Sequence, residues 1–129
     1  MSSRPHFLEA LLRPAVAVTL RNIRSGRPVA TVIESALDSR SRKRGLLGRD
    51  RFPPGHALVI APTNLVHTFS MRFNIDIVFA NREGRVVKIR TDVPPRRITG
   101  ALTGFAVIEL AAGELQRSDT RVGDVLKLV

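Results

Sequence analysis

The chain has 129 residues, with 21 Lys+Arg against 11 Asp+Glu for a formal net charge of +10, and 43% of its residues are hydrophobic. That length suits one compact domain able to bury roughly two thirds of its unfolded surface, and it excludes a large multidomain enzyme. The count of cysteine is 0, which excludes disulfides, thiolate nucleophiles, Cys-ligated zinc and iron–sulfur clusters.

Taken in chain order, the amino terminus carries an apolar stretch over residues 7–20 interrupted by Glu9, Arg13 and Pro14. A secretory signal needs an uninterrupted apolar region, so this segment reads as structure or as an extended arm, and the protein as cytoplasmic. Val16, Val18 and Leu20 alternate with Ala17 and Thr19, and Ser25-Gly26-Arg27-Pro28 turns the chain into residues 29–33, which predicts a first hairpin. Alternation stops over 34–51, where an Arg-rich stretch carrying Leu37, Leu46 and Leu47 predicts a short helix ending near Gly45 or Gly48.

Residues 57–61 are an apolar run closed by Pro62, and 66–78 follow with Ile75, Ile77 and Phe79 on one face. The uncharged stretch 57–71 contains Pro62, Asn64 and His67, well short of the ~20 apolar residues of a membrane span. Asn81-Arg82-Glu83-Gly84 predicts a hairpin turn into a strand over 86–93, which Pro94-Pro95 stops. A loop over 96–104, a buried strand over 105–110, a helical turn over 113–118 and a closing strand over 122–129 complete the reading. The expected fold is mainly β, one compact sandwich, jelly-roll-like or small-barrel domain of about seven strands with one or two short helices. Residues 1–28 form an amino-terminal extension and first strand, and 29–129 the main β domain.

Three stretches stand in order: Arg44-Gly45-Leu46-Leu47-Gly48-Arg49; then His67-Thr68-Phe69-Ser70-Met71-Arg72-Phe73-Asn74-Ile75-Asp76-Ile77-Val78-Phe79; then Glu109-Leu110-Ala111-Ala112-Gly113-Glu114 with Gly123-Asp124. Together they resemble DUF192, the domain of unknown function family also called uncharacterised protein family 0127, over roughly residues 29–129. The resemblance implies a small, mainly β domain of sandwich or jelly-roll type and assigns no activity. Many relatives are exported or lipid-anchored.

Asp76 is the most informative acid, because it lies in an apolar strand and shares a face with Val78. An ionised carboxylate there needs a partner, either a structural one such as Arg44 or Arg49 or a ligand. Glu109 poses the same problem beside Val107, and the two acids would make a general acid/base couple if the fold brought them together. His67, Phe69 and Met71 alternate toward one face, with Phe69 and Met71 as core or pocket lining and His67 at a rim. No dedicated metal site is expected, since His6 and His56 lie far away in sequence and no thiolate exists.

The basic run Arg40, Arg42, Lys43, Arg44, Arg49 and Arg51 would track a phosphate backbone weakly and in a salt-sensitive manner. Six Phe with no Tyr or Trp, and the lack of a nucleic-acid-binding signature, argue against specific recognition. The reading is therefore a binding or accessory module for a polar or anionic small molecule. Arg44 and Arg49 donate to the anion, Asp76 positions a guanidinium, and Phe69, Met71 and Phe73 form an apolar wall, with His67, Arg72 and Glu109 as further candidates. No cofactor is expected. The alternatives are a hydrolase- or lyase-type enzyme using Asp76 or Glu109 as general base, and a module that docks a protein partner.

Overall fold

The structure, a computed structural model, describes residues 4–12, 18–45, 49–69 and 71–129. A 3-10 turn (Glu9–Leu12) precedes β1 (Leu20–Asn22), β2 (Pro28–Ala30), β3 (Val32–Ala36), α1 (Ser39–Arg44), β4 (His56–Ile60), β5 (Leu65–His67) and β6 (Ile75–Ala80). After them come β7 (Val86–Val93), β8 (Ile98–Gly100), β9 (Ala106–Ala111), α2 (Glu114–Arg117) and β10 (Leu126–Leu128). A five-stranded sheet in the order β3-β4-β9-β6-β7 forms the middle of the molecule. On one side lies the small sheet β10-β1-β2, on the other the β5-β8 ribbon. The fold is mainly β and sandwich-like, and among the described residues no sheet closes into a barrel.

Both faces of the middle sheet are covered, which is why β4, β6 and β9 read as nearly continuous apolar runs. Period-two alternation sends Val59, Val78, Ile108 and Leu110 into one core with Leu8, Leu20, Val29, Leu115 and Leu126. The opposite faces of the same strands send Leu58, Ile60, Ile77, Phe79 and Val107 into a second core with Phe52 and Met71. Phe79 and Ile77 are fully buried, each contributing about 1.5–3 kcal/mol relative to exposure.

Several short strands depart from the expected pattern. The first hairpin pairs Leu20 with Ala30 and Arg21 with Pro28, while Val16 and Ala17 lie outside the described residues. Residues 32–36 do not continue it: the N–H groups of Thr31 and Val32 both donate to the Gly55 carbonyl, the chain changes sheets, and β3 runs parallel to β4. The expected helix in the Arg-rich stretch is α1, started by the Asp38 side chain accepting from the Ser41 N–H at 2.8 Å and stopped by Gly45 at φ 49°. Leu46, Leu47 and Gly48 lie outside the described residues. The expected loop over 96–104 contains β8, which pairs with β5, and Pro94-Pro95 ends β7 as expected.

The amino-terminal segment belongs to the body of the domain. Leu8 is fully buried in the first core and the Phe7 N–H donates to the Arg82 carbonyl at 2.8 Å. At the other end, the buried Asp124 accepts from Asn22 at 2.9 Å and from Arg24 at 2.7 Å, which ties β1 to the turn before β10.

Asp76 is the corresponding staple at the end of β6. Its carboxylate accepts three main-chain N–H groups: Asp92 at 2.9 Å, Gly113 at 3.0 Å and Leu115 at 3.0 Å. Those bonds fix the irregular end of the β6-β7 pairing, where Asp92 has φ 51°, and the start of α2. Asp76→Ala leaves three donors without their acceptor and is expected to cost about 3–4 kcal/mol in urea unfolding, with Asp76→Asn intermediate. A cost below about 1 kcal/mol would show that the three bonds contribute little net stability.

Candidate functional site

The second acid behaves differently. Glu109 sits on β9, the middle strand, with Leu58 opposite on β4 and Ile77 opposite on β6. The same ladder pairs Asp76 with Leu110, so the carboxyls of Asp76 and Glu109 point to opposite faces of the sheet and form no general acid/base couple. Asp76 also has no arginine partner among the described residues. The expected pairing with Arg44 or Arg49 is replaced by main-chain donors that reach it within its own end of the sheet.

Glu109 is 2% exposed, and among the described residues its carboxyl takes no hydrogen bond. It forms the floor of a cavity of about 250 Å³, walled by Ile60, Val66 and Met71, with Thr63, His67 and Lys43 among the other lining residues. A Cβ placed on Gly45 would stand 3.9 Å from Glu109 Oε1, so the carboxyl reaches toward the end of α1. Burial pushes the Glu109 carboxyl up to about 7, against a lowering pull from the Arg49 guanidinium. A group so placed accepts or donates a proton at neutral pH and hydrogen-bonds a polar ligand in either state.

Gly45 also lines an adjoining cavity of about 410 Å³, which contains Arg44, Arg49, Ser35 and Ser41. There Arg49 grips Glu34 with both terminal nitrogens, at 3.0 and 2.8 Å. The Arg49 hydrogen bonds hold the Glu34 carboxyl below the ordinary carboxylate range. Arg44 is exposed. Arg42, two residues back, donates to the Leu37 carbonyl at 2.9 Å.

The remaining candidates are distributed around this centre. Met71 lines both the Glu109 cavity and an open depression shared by Phe69, Arg72, Pro95 and Arg96. Phe69 is 43% exposed and its ring lies 5.8 Å from that of His67, so it borders the mouth and does not wall the interior. Phe73 packs at the edge of the second core. Arg72 pairs with the exposed Asp50. Asp76 faces a different depression, with Thr91, Asp92 and Gln116.

The structure thus brings Glu109, His67 and Met71 together, sets Arg44 and Arg49 next door across Gly45, and sends Asp76 to the other side of the sheet. Lys43 and Thr63 belong to the site without having been expected there. Lys43 gave only a charge signal and Thr63 none, since its place depends on where the chain between β4 and β5 folds. Among the described residues, no group of three or more His, Asp or Glu is arranged to hold a metal, and no helix is long and apolar enough to cross a membrane.

The raised Glu109 pKa carries a sign. An unfolded glutamate ionises near its ordinary value of 4.5 and the folded one near 7. The folded state therefore loses stability as pH rises through that interval, and the loss is constant above it. Glu109→Gln removes the loss: relative to wild type it is expected to gain about 3 kcal/mol at pH ~8 and little at pH ~4, read by chemical unfolding at both values. Parallel stability curves for the two proteins would refute the buried-acid assignment.

A crystal structure from Sinorhizobium meliloti 1021, described as a proposed transcription regulator, matches with a TM-score of 0.75 at 24% identity, covering 86% of this chain and 91% of that one. A protein of unknown function from Novosphingobium aromaticivorans DSM 12444 matches with a TM-score of 0.74 at 23% identity, covering 89% of each chain. No curated protein matches. The model of the family DUF192, described as an uncharacterized ACR, matches residues 20–128, from β1 to the end of β10, and the chain belongs to that family.

Proposed function

We propose that this chain is a cytoplasmic binding or accessory module whose site is the Glu109 cavity and whose ligand is a small polar molecule. The observation that carries this reading is a carboxyl 2% exposed, without a hydrogen-bond partner among the described residues, opening into a cavity whose lining joins Ile60, Val66 and Met71 to Lys43, Thr63 and His67. Such a group destabilises the fold, and a convergent polar group in an apolar pocket is the usual form of a small-molecule site. Glu109 bonds the ligand's polar end, His67 and Thr63 offer further partners, and Ile60, Val66 and Met71 hold its apolar face. Arg44 and Arg49 give the adjoining cavity its cationic character, with Phe69 and Arg72 outside the mouth and Asp76 holding the sheet from behind.

A second reading is favoured by one specific observation. Glu109, with its pKa near 7, and His67 line the same cavity, the minimal arrangement for proton transfer in a hydrolase- or lyase-type reaction. Asp76 has no part in it. Specific nucleic-acid recognition, suggested by the description of the Sinorhizobium protein, is less well supported. Among the described residues, five arginines sit in ion pairs and Arg21, Arg27, Arg42, Arg82, Arg85 and Arg97 donate to main-chain carbonyls, so the expectation is weak, salt-sensitive binding. A protein-docking role for the amino-terminal segment has less support still, since Leu8 is committed to the core.

The test is a thermal-shift screen of wild type and Glu109→Gln against sugars, polyols, hydroxy acids and organic phosphates. A ligand at about 100 times its dissociation constant adds about 2.7 kcal/mol to the native state. At least one class is expected to raise the wild-type midpoint by several degrees and to do so by less than half as much in Glu109→Gln. Equal shifts in both proteins, or none in either, would overturn the reading. Turnover of the bound class, with a pH profile breaking near the Glu109 pKa, would establish the catalytic form of the site.

A further inference from the structure

We infer that the ligand of the Glu109 cavity is a phosphate monoester of a small polyol or sugar, bound with a hydroxyl end on Glu109 and the phosphate at the mouth against Lys43 and Arg44. This rests on the cavity being the binding site and specifies what enters it and in which orientation.

The last turn of α1 supplies three successive cations, Arg42, Lys43 and Arg44. Lys43 lines the Glu109 cavity, Arg44 lines the adjoining one, and Gly45 lines both. Arg42 and Arg49 are committed, the first to the Leu37 carbonyl and the second to Glu34. Lys43 and Arg44 are exposed and have no ion pair or side-chain hydrogen bond among the described residues. Two uncommitted positive charges therefore stand at the rim, where a phosphate ester's charge of nearly −2 at neutral pH matches them.

The floor selects the other end. An ionised or half-ionised carboxyl repels an anion that enters deeply, so the phosphate stays outside. A cationic amine is drawn to the carboxylate but meets the like charges of Arg42 and Lys43 on the same lining. A hydroxyl meets neither obstacle: it donates to the carboxylate and accepts from the protonated acid, and Thr63 and His67 lie on the same lining for a second hydroxyl. Ile60, Val66 and Met71 provide the apolar surface on which the carbon face of such a molecule rests. The cavity of about 250 Å³ lies just under the usual lower bound of roughly 300 Å³ for drug-sized ligands, which fits a compact polyol and leaves the phosphate at the rim.

Calorimetric titration of the full chain with glucose 6-phosphate, glycerol 3-phosphate, glucose, glycerol and inorganic phosphate tests the inference. At least one ester is expected to bind about tenfold or more tighter than both its parent polyol and inorganic phosphate, a difference of about 1.4 kcal/mol. Lys43→Ala with Arg44→Ala, both exposed positions, is expected to bring the ratio of ester to polyol affinity down toward one at unchanged melting temperature. Glu109→Gln is expected to weaken polyol and ester alike. Esters no tighter than their parents, or an advantage that survives the double substitution, would overturn the inference while polyol binding sensitive to Glu109→Gln sustains the cavity as the site. Polyol and ester binding both indifferent to Glu109→Gln would overturn the two together.

Discussion

A carboxyl on the middle strand of a sheet covered on both faces must be satisfied, neutralised or tolerated at a cost; at Glu109 no hydrogen bond satisfies it among the described residues, and burial pushes its pKa up to about 7. Leu58 and Ile77 flank it across the ladder and the second core surrounds its base. Replacing the carboxyl by an apolar group would complete that core. The strand instead keeps an acid whose charged state is disfavoured, and the covering layer above it, α1 with the chain leading into β5, leaves a cavity over it. A destabilising group retained beneath an opening is the usual relation between stability and function at binding and catalytic sites.

Asp76 shows what the same kind of residue looks like when it is structural. It lies one strand away, is equally buried, and points to the opposite face, where three main-chain N–H groups close around it. Its geometry is that of an anion recruited to organise a strand end and a helical turn, and every bond it makes stays inside the protein. Two acids that look alike in the sequence are thus separated by the direction of their neighbours' N–H groups. Asp76 lies at a strand end where those groups are unpaired, whereas Glu109 lies in mid-ladder, where every main-chain donor beside it is already used by β4 or β6.

That contrast also explains what the sequence made legible. Strands β4, β6, β7 and β9 were readable because long apolar runs bounded by Pro, Asn and Gly leave few alternatives, and α1 was readable from its stop at Gly45. The three-residue strands β5 and β8 were not: Leu65-Val66-His67 and Ile98-Thr99-Gly100 are too short to carry a period, and their pairing is set by the packing of Val66 over the second core. The switch of β3 to the middle sheet was equally hidden, since it depends on one carbonyl, that of Gly55, accepting from two successive residues. For the site, residue type pointed to Glu109, His67 and Met71, but the face on which each acid lies follows from register, which one chain read alone does not contain.

Charge completes the picture. A net charge of +10 suggests a polyanion partner, yet the positive groups are spent unevenly. Arg24, Arg49, Arg117 and Arg121 sit in ion pairs, and Arg21, Arg27, Arg82 and Arg85 donate to main-chain carbonyls across turns. Many of the arginines therefore act as cross-links on a molecule whose small strands offer few ladder bonds, a use suited to a fork of five donors. Of the cations without such an engagement among the described residues, which also include Arg40, Arg51, Arg90 and Arg96, Lys43 and Arg44 are the two that line the openings meeting at Gly45. Nucleic acid binding would require uncommitted cations spread along a face at phosphate spacing. A pair of them concentrated beside a buried acid fits a small molecule with one anionic end, so the excess of arginine on this surface is a poor guide to its partner and the position of two residues is a better one.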